Sequence, residues 1–162
     1  MADEWVQGTY IPESKEKWVF PNGKYPTYRS SWELRFMNWI SMSRNVVKAS
    51  SEPFAIEYQD LSDKNRPVRR YFPDFFIEVV DVEGKSTKYV VEIKPSKQCP
   101  QYSPEGKLAL PPKPKKQSQK AMANWQAKAK TLVMNHCKWQ AAKAFCAKKG
   151  FVFKVITEKS VF

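Results

Sequence analysis

Residues 68–94 read VRRYFPDFFIEVVDVEGKSTKYVVEIK, and the order of residue types within them decides the fold. The run 68–82 is rich in Tyr, Phe, Val and Ile, which are enriched in strands. Residues 83–85 (EGK) are typical of a turn, and 87–94 (TKYVVEIK) follow as a second strand-like run. The stretch therefore predicts an antiparallel hairpin in which 68–82 pairs with 87–94.

Upstream of the hairpin, the sequence predicts an arm, a helix and one further strand. Residues 1–27 mix aromatic side chains with prolines, which is typical of an irregular arm that packs on a neighbouring surface. Apolar residues recur at helical spacing over 31–42, where Ser30 or Ser31 supplies the N-terminal cap. Residues 54–59 (FAIEYQ) alternate between apolar and polar, as a half-buried strand does.

Downstream of the hairpin, a proline-rich insert precedes a long helical segment. Six prolines between positions 95 and 115 exclude a helix or a central strand there. Residues 117–149 lack proline and are rich in Ala, Lys and Gln, so we expect one long helix or two abutting helices, ended by Gly150. Residues 151–158 (FVFKVITE) predict a closing strand. The element order is αβββαβ, which indicates a mixed α/β layer fold.

Composition narrows the class of protein. The chain has 162 residues, of which 42% are hydrophobic and 14% aromatic, so it can bury a core and is not disordered throughout. No apolar run approaches the roughly 20 residues of a membrane span, and the start, MADEWVQGTY, lacks the apolar stretch of a signal peptide. We therefore expect no membrane partner and a cytoplasmic location. Three cysteines and one histidine, without a CxxC pair, argue against a disulfide framework and a zinc module.

The net charge of +12 is concentrated in the C-terminal third of the chain. Residues 106–157 contain twelve lysines and no acidic residue, whereas the charges balance over the rest. A polyanion is the natural partner for such a segment, because neutralising phosphates releases counterions and gives sequence-independent affinity. Two alternatives stay open. The lysines form a solvated helix face, or they contact an anionic membrane, for which the segment lacks a clean apolar face.

Four polar side chains in the predicted helix and hairpin form a candidate catalytic group. Asp74 interrupts an aromatic run, where a carboxylate carries a desolvation cost unless a cation meets it. Glu92 and Lys94 lie two residues apart on the partner strand, so they point to one face. If the pairing places Asp74 on that face, two carboxylates and an ammonium converge. Glu33, in the first turn of helix 31–42, supplies a third carboxylate.

This combination suits the hydrolysis of a phosphodiester. Carboxylate oxygens bind Mg²⁺, which offsets the charge that develops on phosphoryl oxygens, and a lysine orients or deprotonates the attacking water. The alternative is structural: Glu92 and Lys94 form the wet face of an edge strand, and Asp74 marks a bulge. The residue pattern alone supports both interpretations equally.

Four short blocks carry a resemblance to a known nuclease superfamily. They are YRSSWEL at 28–34, YFPDF at 71–75, VEIKP at 91–95 and KWQAA at 138–142. A glutamate on a helix, then Pro-Asp, then Glu-Ile-Lys resembles the PD-(D/E)XK nuclease superfamily. More narrowly, the blocks are similar to the head-completion nucleases of large tailed phages and to the related end-cleaving subunit of a heteromeric transposase.

The resemblance implies a fold and a metal site. The fold is a restriction-endonuclease-like α/β core, in which helices flank a mixed four-stranded sheet. Asp74 and Glu92 would bind Mg²⁺, or Mn²⁺ as its substitute, together with the backbone carbonyl of Ile93. Lys94 would serve the attacking water, and Glu33 would add a carboxylate to the same metal site.

The resemblance also implies a domain organisation and partners. One nuclease domain would occupy 28–162, after the arm 1–27 and with 95–115 as an insert. The length of this insert and the aromatic arm depart from the family pattern. The expected partners are DNA and phage head or portal components, in the host cytoplasm or the virion, and we expect no small-molecule cofactor.

Basic residues beside the motifs are candidate DNA contacts. Arg29 and Ser30 hold a phosphate at the start of the predicted helix; alternatively, Ser30 only caps the helix and Arg29 is solvated. Lys97 follows the Glu-Ile-Lys motif and is a candidate phosphate contact.

Two further groups of basic residues complete the candidate DNA-binding set. Either Arg69 or Arg70 contacts DNA, or it forms a salt bridge with Glu57 or Glu78; Arg70 is our candidate. The lysines around the start of the last helix are the others: Lys113, Lys115, Lys116 and Lys120.

Two classes of function follow from these residues and from the resemblance, which alone implies a role in phage head completion. The first is a Mg²⁺-dependent DNA endonuclease that hydrolyses phosphodiester bonds and trims packaged DNA during phage head completion. The second is a non-catalytic, DNA-binding head-completion protein of the virion that uses only its basic surface. A junction resolvase of the same fold would differ from the first in its substrate alone.

Overall fold

The computed structural model describes residues 6–160, so Trp5, one of the arm's aromatic residues, lies outside the described part. Within it the chain forms strands, two long helices and two short 3₁₀ turns. In chain order the strands and helices are β1 (Gly8–Thr9), β2 (Trp18–Val19), β3 (Thr27–Tyr28), α1 (Ser31–Met42), β4 (Val46–Ser51), β5 (Ile56–Gln59), β6 (Val68–Tyr71), β7 (Phe75–Val80), β8 (Ser86–Ile93), β9 (Gln101–Tyr102), β10 (Leu108–Ala109), α2 (Gln119–Lys149) and β11 (Val152–Ile156).

A mixed sheet of five strands, in the order β11-β8-β7-β4-β2, forms the centre of the fold. The β7–β8 hairpin is antiparallel, with Phe75 opposite Val91, and β4 pairs antiparallel with β7. Both outer strands, β11 and β2, run parallel to their neighbours. The predicted mixed α/β fold is confirmed. The predicted count of four strands is wrong, because Trp18–Val19 of the arm pairs with β4 as a fifth strand.

Side chains of the arm fasten this extra strand to α1. Trp18 is buried, and its indole N–H donates to the hydroxyl of Ser41 at 3.2 Å. The Lys17 ammonium donates to the carbonyls of Ile40 (3.0 Å) and Ser43 (2.6 Å). A cation at these positions satisfies carbonyls that a helix C-terminus leaves unpaired. The arm is therefore part of the packed structure between residues 17 and 19.

The prediction of one strand over 68–82 is wrong, because the run is divided between two sheets. β6 pairs with β5, with Tyr71 opposite Ile56, in a separate hairpin, and β7 begins at Phe75. Pro73 lies between them and has no N–H to donate to a ladder. The break leaves Asp74 immediately before β7, at one end of the central sheet.

The predicted order αβββαβ holds for the core of the domain, but its first strand is Val46–Ser51, which the sequence analysis missed. The predicted strand 54–59 instead forms β5, outside the central sheet. A register shift between Val46 and Lys48 interrupts β4, so its residues do not show the two-residue period of a regular strand.

The two helices pack against different faces of the sheet. The predicted helix 31–42 is confirmed as α1, whose buried Phe36 lies in one cluster with Ile77 of β7. Phe76, the next residue of β7, contacts Phe54, and Phe54 contacts Phe145 of α2. Successive strand residues point to opposite faces. Even-numbered side chains of β7 therefore face α2.

The predicted helical segment 117–149 contains one helix, α2 (Gln119–Lys149), rather than two. Gly150 ends it with a φ of 71°, the left-handed conformation that glycine adopts at little cost. Within residues 6–160, no helix is both long and apolar enough to cross a membrane.

Candidate active site

Asp74 and Glu92 face each other across the central hairpin. The β7–β8 register places Phe75 opposite Val91, so one step further places Asp74 opposite Glu92. Directly opposed residues of an antiparallel pair project to the same face. Asp74 Oδ2 also accepts a hydrogen bond from the Ile93 backbone N–H at 2.7 Å, which fixes its carboxylate beside β8. The structure thus brings the two predicted carboxylates together.

Glu92 is buried and Asp74 is half-buried, and the pair has few hydrogen-bond partners. Glu92 is only 6% exposed, and its Oε2 atom has no hydrogen-bond partner among the described residues. Burial, and then the charge of Glu92, raises the pKa of Asp74 well above its usual range, although the Ile93 N–H opposes the shift. Burial also raises the pKa of Glu92. Two neighbouring acids whose pKa values are both raised indicate a site built for a cation.

Lys94 lies beside the pair, as the sequence predicted. Its Nζ atom is 3.6 Å from Oε1 of Glu92, and a quarter of its side chain is exposed. Its backbone N–H donates to the Ile156 carbonyl of β11 at 3.0 Å, which anchors the end of β8. The Lys94 ammonium therefore lies beside the Glu92 carboxylate and is itself partly accessible to solvent.

Glu33 takes part in a capping box at the start of α1. Its backbone N–H donates to Ser30 Oγ at 3.1 Å, so Ser30 caps the helix. The Glu33 carboxylate accepts from the Arg29 N–H at 2.9 Å and from the Ser30 hydroxyl at 3.3 Å. Its charge raises the pKa of Asp74, after burial and Glu92, so the helix end is near the pair. A role of Glu33 as a metal ligand stays a prediction.

Glu52 is a residue that the sequence analysis did not single out. It has a φ of 44°, unusual for a residue with a side chain. Its backbone N–H donates to the Asp74 carbonyl at 2.9 Å. Its carboxylate pairs with the Arg29 guanidinium, also at 2.9 Å, and both side chains are about half exposed. Glu52 therefore fixes the backbone of Asp74 through this hydrogen bond. Through its ion pair with Arg29, it also ties the segment before α1 to the end of β4.

An open cleft of about 430 Å³ lies beside this group. The start of α1 forms one wall, and the segment after β8 and the end of β11 form the others. Its lining includes Arg29, Ser30, Glu33, Lys94 and Lys97. Glu33 and Lys94 thus border one space with the candidate phosphate contacts, whereas Asp74 and Glu92 lie beside it and do not line it. We call this space the catalytic cleft.

The donor set fits a hard divalent cation. Two carboxylates, one with an unpaired buried oxygen, and neighbouring backbone carbonyls offer the oxygen ligands that Mg²⁺ and Mn²⁺ prefer. Over residues 6–160, no three His, Cys, Asp or Glu side chains are grouped closely enough to hold a metal. Such a site relies on one or two carboxylates, and water and substrate phosphate complete the shell, as is usual for Mg²⁺.

Comparison with known proteins identifies the family. The model of the family described as TnsA-like endonuclease N terminal matches residues 43–158, most of the chain. The chain belongs to this TnsA-like endonuclease family. The match includes Asp74, Glu92 and Lys94 and begins after Glu33. The resemblance to PD-(D/E)XK nucleases is confirmed.

One curated relative covers almost the whole chain. It is the head completion nuclease of Enterobacteria phage T4, which is 27% identical over 151 residues, or 93% of this chain and 90% of the relative. No solved structure matches the chain.

Lys138 of α2 also lies near the pair of Asp74 and Glu92 in this TnsA-like endonuclease. Its Nζ atom lies 5.8 Å from the centre of the Tyr58 ring and 5.7 Å from that of Tyr71. The positive charges of Lys94 and Lys138 both oppose the raised pKa of Glu92. Burial, and then Lys94, lowers the pKa of Lys138 itself. Lys138 therefore supplies a second cation on the α2 side of Glu92.

A sequence signal for Lys138 existed. Its helical neighbours four residues away are Met134 and Ala142, which both belong to the apolar cluster between α2 and the β5–β6 hairpin. A lysine in an apolar stripe carries a desolvation cost, which a nearby negative charge such as a carboxylate can offset. Residues 138–142 enter the prediction only through the family resemblance, and Lys138 is not among the predicted site residues.

Replacing Lys138 by methionine tests its link to Glu92. Without the ammonium, the pKa of Glu92 rises further, so a larger share of the pair is protonated near neutral pH. We expect DNA cleavage by Lys138→Met to need a higher pH than wild type, whereas Lys138→Arg keeps the wild-type profile. Cleavage rates over a pH series provide the measurement. Coincident profiles for Lys138→Met and wild type would contradict this link.

The other candidate DNA contacts lie outside the catalytic cleft. Arg70 is exposed, with its guanidinium 5.9 Å from the Phe72 ring. Arg69 forms salt bridges with Asp60 (2.9 Å) and Asp63 (3.1 Å), rather than with the predicted Glu57 or Glu78. The lysines before and within the first turn of α2 are all exposed: Lys113, Lys115, Lys116 and Lys120.

Proposed function

We propose that this protein is a DNA endonuclease that depends on a divalent cation, Mg²⁺ or Mn²⁺, and hydrolyses phosphodiester bonds during phage head completion. The observation that carries the proposal is the pairing of Asp74 with the buried Glu92, with Lys94 beside them, within the part of the chain that matches the endonuclease family. The phage T4 relative is a head completion nuclease, which supports the role in head completion.

Different residues of the chain would bind the cation and orient the attacking water. Asp74 and Glu92, with the Ile93 carbonyl, would hold the cation, and Glu33, which is not grouped closely enough with them to be a third ligand in this structure, would add its negative charge from the start of α1. The bound ion would polarise the phosphoryl group and offset the charge that develops on it. Lys94 orients the attacking water at the mouth of the cleft, because its ammonium is partly exposed and already directed to Glu92. The capping box fixes Glu33 against the same cleft.

The substrate strand follows the basic residues that border the cleft. Arg29 and Ser30 contact phosphate at the start of α1, where backbone N–H groups favour anions. Lys97, which is exposed and lines the cleft, contacts the next part of the backbone. Arg70 and the lysines around the start of α2 extend the positive surface, in keeping with the net charge of +12.

The same relative supports a biological context for the proposal. A role in head completion means that the protein acts on packaged DNA together with phage head or portal components, in the host cytoplasm or the virion. Residues 28–162 form the nuclease domain, and the arm 1–27 supports it through β2. Packing of the arm on α1 and β4 favours this supporting role of the arm.

The test is a cleavage assay with purified protein on supercoiled, linear and branched DNA, in Mg²⁺, Mn²⁺ or EDTA. We expect products with either ion and none with EDTA. Strong preference for the branched substrate would make the protein a junction resolvase. DNA binding without products in any buffer would reject the nuclease and leave the non-catalytic DNA-binding protein.

A further inference from the structure

The proline-rich insert 95–115 packs along α2 instead of projecting from the domain. Three side-chain hydrogen bonds join the insert to the helix, and one of them comes from a buried asparagine. The bonds run from Trp125 Nε1 to the Pro111 carbonyl (2.8 Å), from Asn135 Nδ2 to the Gln98 carbonyl (3.0 Å), and between the Tyr102 hydroxyl and His136 Nδ1 (2.8 Å). The insert is therefore a fixed wall.

A groove of about 480 Å³ lies between this wall and α2. We call it the insert groove. Its size is within the range of sites that take a small ligand or one nucleotide unit, and it is too small for a helix. Its lining residues are Lys97, Gln98, Pro111, Ala127, Lys128, Thr131 and Leu132.

The lining has the chemistry of a site for a nucleic-acid backbone. Lys97 and Lys128 are exposed cations, and no acidic side chain lines the groove. Pro111, Ala127 and Leu132 provide an apolar wall against which a sugar can lie. Ammonium groups beside a sugar-sized apolar wall match a sugar–phosphate chain.

The insert groove continues from the catalytic cleft. Lys97 and Gln98 line both spaces. On α2, Lys120, Asn124 and Lys128 are spaced four residues apart and so lie along one helix face. A strand that leaves the cleft past Lys97 therefore meets Lys128 and then Lys120.

We propose that the insert groove binds the sugar–phosphate backbone of the DNA strand beside the scissile phosphate, with Lys97 and Lys128 as its phosphate contacts. This inference rests on the proposed function, because it takes the strand in the catalytic cleft to be the DNA substrate. It gives the insert a role as the second half of the substrate site.

The first experiment removes one charge. DNA affinity is measured by fluorescence anisotropy over a salt series, in EDTA, for wild type, Lys128→Ala and Lys130→Ala. Lys130 is exposed on the same helix but lies about 200° around it from Lys128. We expect Lys128→Ala to reduce the slope of log affinity against log salt by about 0.9, as for one lost phosphate contact. Equal slopes for the two variants would overturn the proposal.

The second experiment blocks the groove without changing charge. Ala127 lines the groove and Ala144 does not; both are exposed residues of α2, roughly 25 Å apart along the helix. We expect Ala127→Trp to weaken DNA binding severalfold and Ala144→Trp to leave it unchanged. Equal affinities would show that DNA does not enter the groove and would overturn the proposal.

Failure of this inference is distinguishable from failure of the proposed function. If wild type cleaves DNA but the paired variants bind alike, the nuclease stands and the groove is not a substrate site. If wild type never cleaves but Lys128→Ala and Ala127→Trp bind weakly, the groove is a DNA site on a non-catalytic protein. Circular dichroism melts confirm that the four α2 variants remain folded.

Discussion

Glu92→Gln is expected to lower the rate of DNA cleavage by at least about a thousandfold, since it removes a carboxylate that holds the cation and positions Lys94. The glutamine has nearly the same shape as glutamate, so β8 keeps its packing. DNA affinity should stay the same or rise slightly, because one negative charge next to the phosphate is lost. The measurements are initial cleavage rates in Mg²⁺ and anisotropy titrations in EDTA.

A matched control is available on the neighbouring strand. Glu78 lies further along β7, on the same face as Asp74, and its carboxylate accepts from the Ser86 hydroxyl at 2.6 Å. Glu78→Gln changes the net charge by the same amount at a distance from the pair, so it should cleave like wild type. Cleavage by Glu92→Gln within a few-fold of Glu78→Gln would exclude Glu92 from the reaction.

Local patterns predicted the parts of the fold that depend on neighbouring residues. The β7–β8 hairpin follows from its β-rich runs and the turn at Gly84, and α1 follows from its apolar spacing and the Ser30 cap. The strand at Trp18 depends on pairing with β4, which is distant in the chain. Two strand residues, between Lys17 and Phe20, are too few to show a strand period, so the place of this strand in the sheet was not predictable from local sequence.

The candidate site was predictable to the extent that it lies on one hairpin. Asp74, Glu92 and Lys94 share a face because the strand period and the turn fix their register. Lys138 and Glu52 reach the site through tertiary packing, since α2 docks on the β5–β6 hairpin and β4 lies beside β7. Their contribution depends on the packing of elements, which sequence spacing does not define.

The burial of the two carboxylates has a consequence for stability in the absence of a divalent cation. In the folded chain the pKa values of Asp74 and Glu92 are raised, whereas in the unfolded chain they return to about 4. The folded state therefore holds more protons above that pH. The two carboxyl groups therefore make their full contribution to folding stability below about pH 4. This contribution is lost as the pH rises through the raised pKa values.

Asp74→Asn should remove much of this loss. We expect the variant to melt at a higher temperature than wild type at neutral pH in EDTA, and the difference to shrink towards pH 4. Differential scanning fluorimetry over a pH series gives the comparison. The pKa of Asp60 is lowered, because hydrogen bonds from Ser62 and Arg69 outweigh the effect of its burial. Asp60 titrates alike in both proteins, so its effect cancels in the difference between their melting temperatures. A difference in melting temperature that does not change with pH would contradict the assignment.

A divalent cation should reverse the same loss in wild type. An ion that binds only the folded chain adds about 2.7 kcal/mol of stability at a hundred times its dissociation constant. We therefore expect Mg²⁺ or Mn²⁺ to raise the melting temperature of wild type and Glu78→Gln at neutral pH, and to have little effect near pH 4, where protons occupy the carboxylates. Asp74→Asn and Glu92→Gln should show little shift at either pH. Because this readout involves neither DNA nor cleavage, an equal shift in all four proteins would place the cation elsewhere, even if the enzyme cuts DNA.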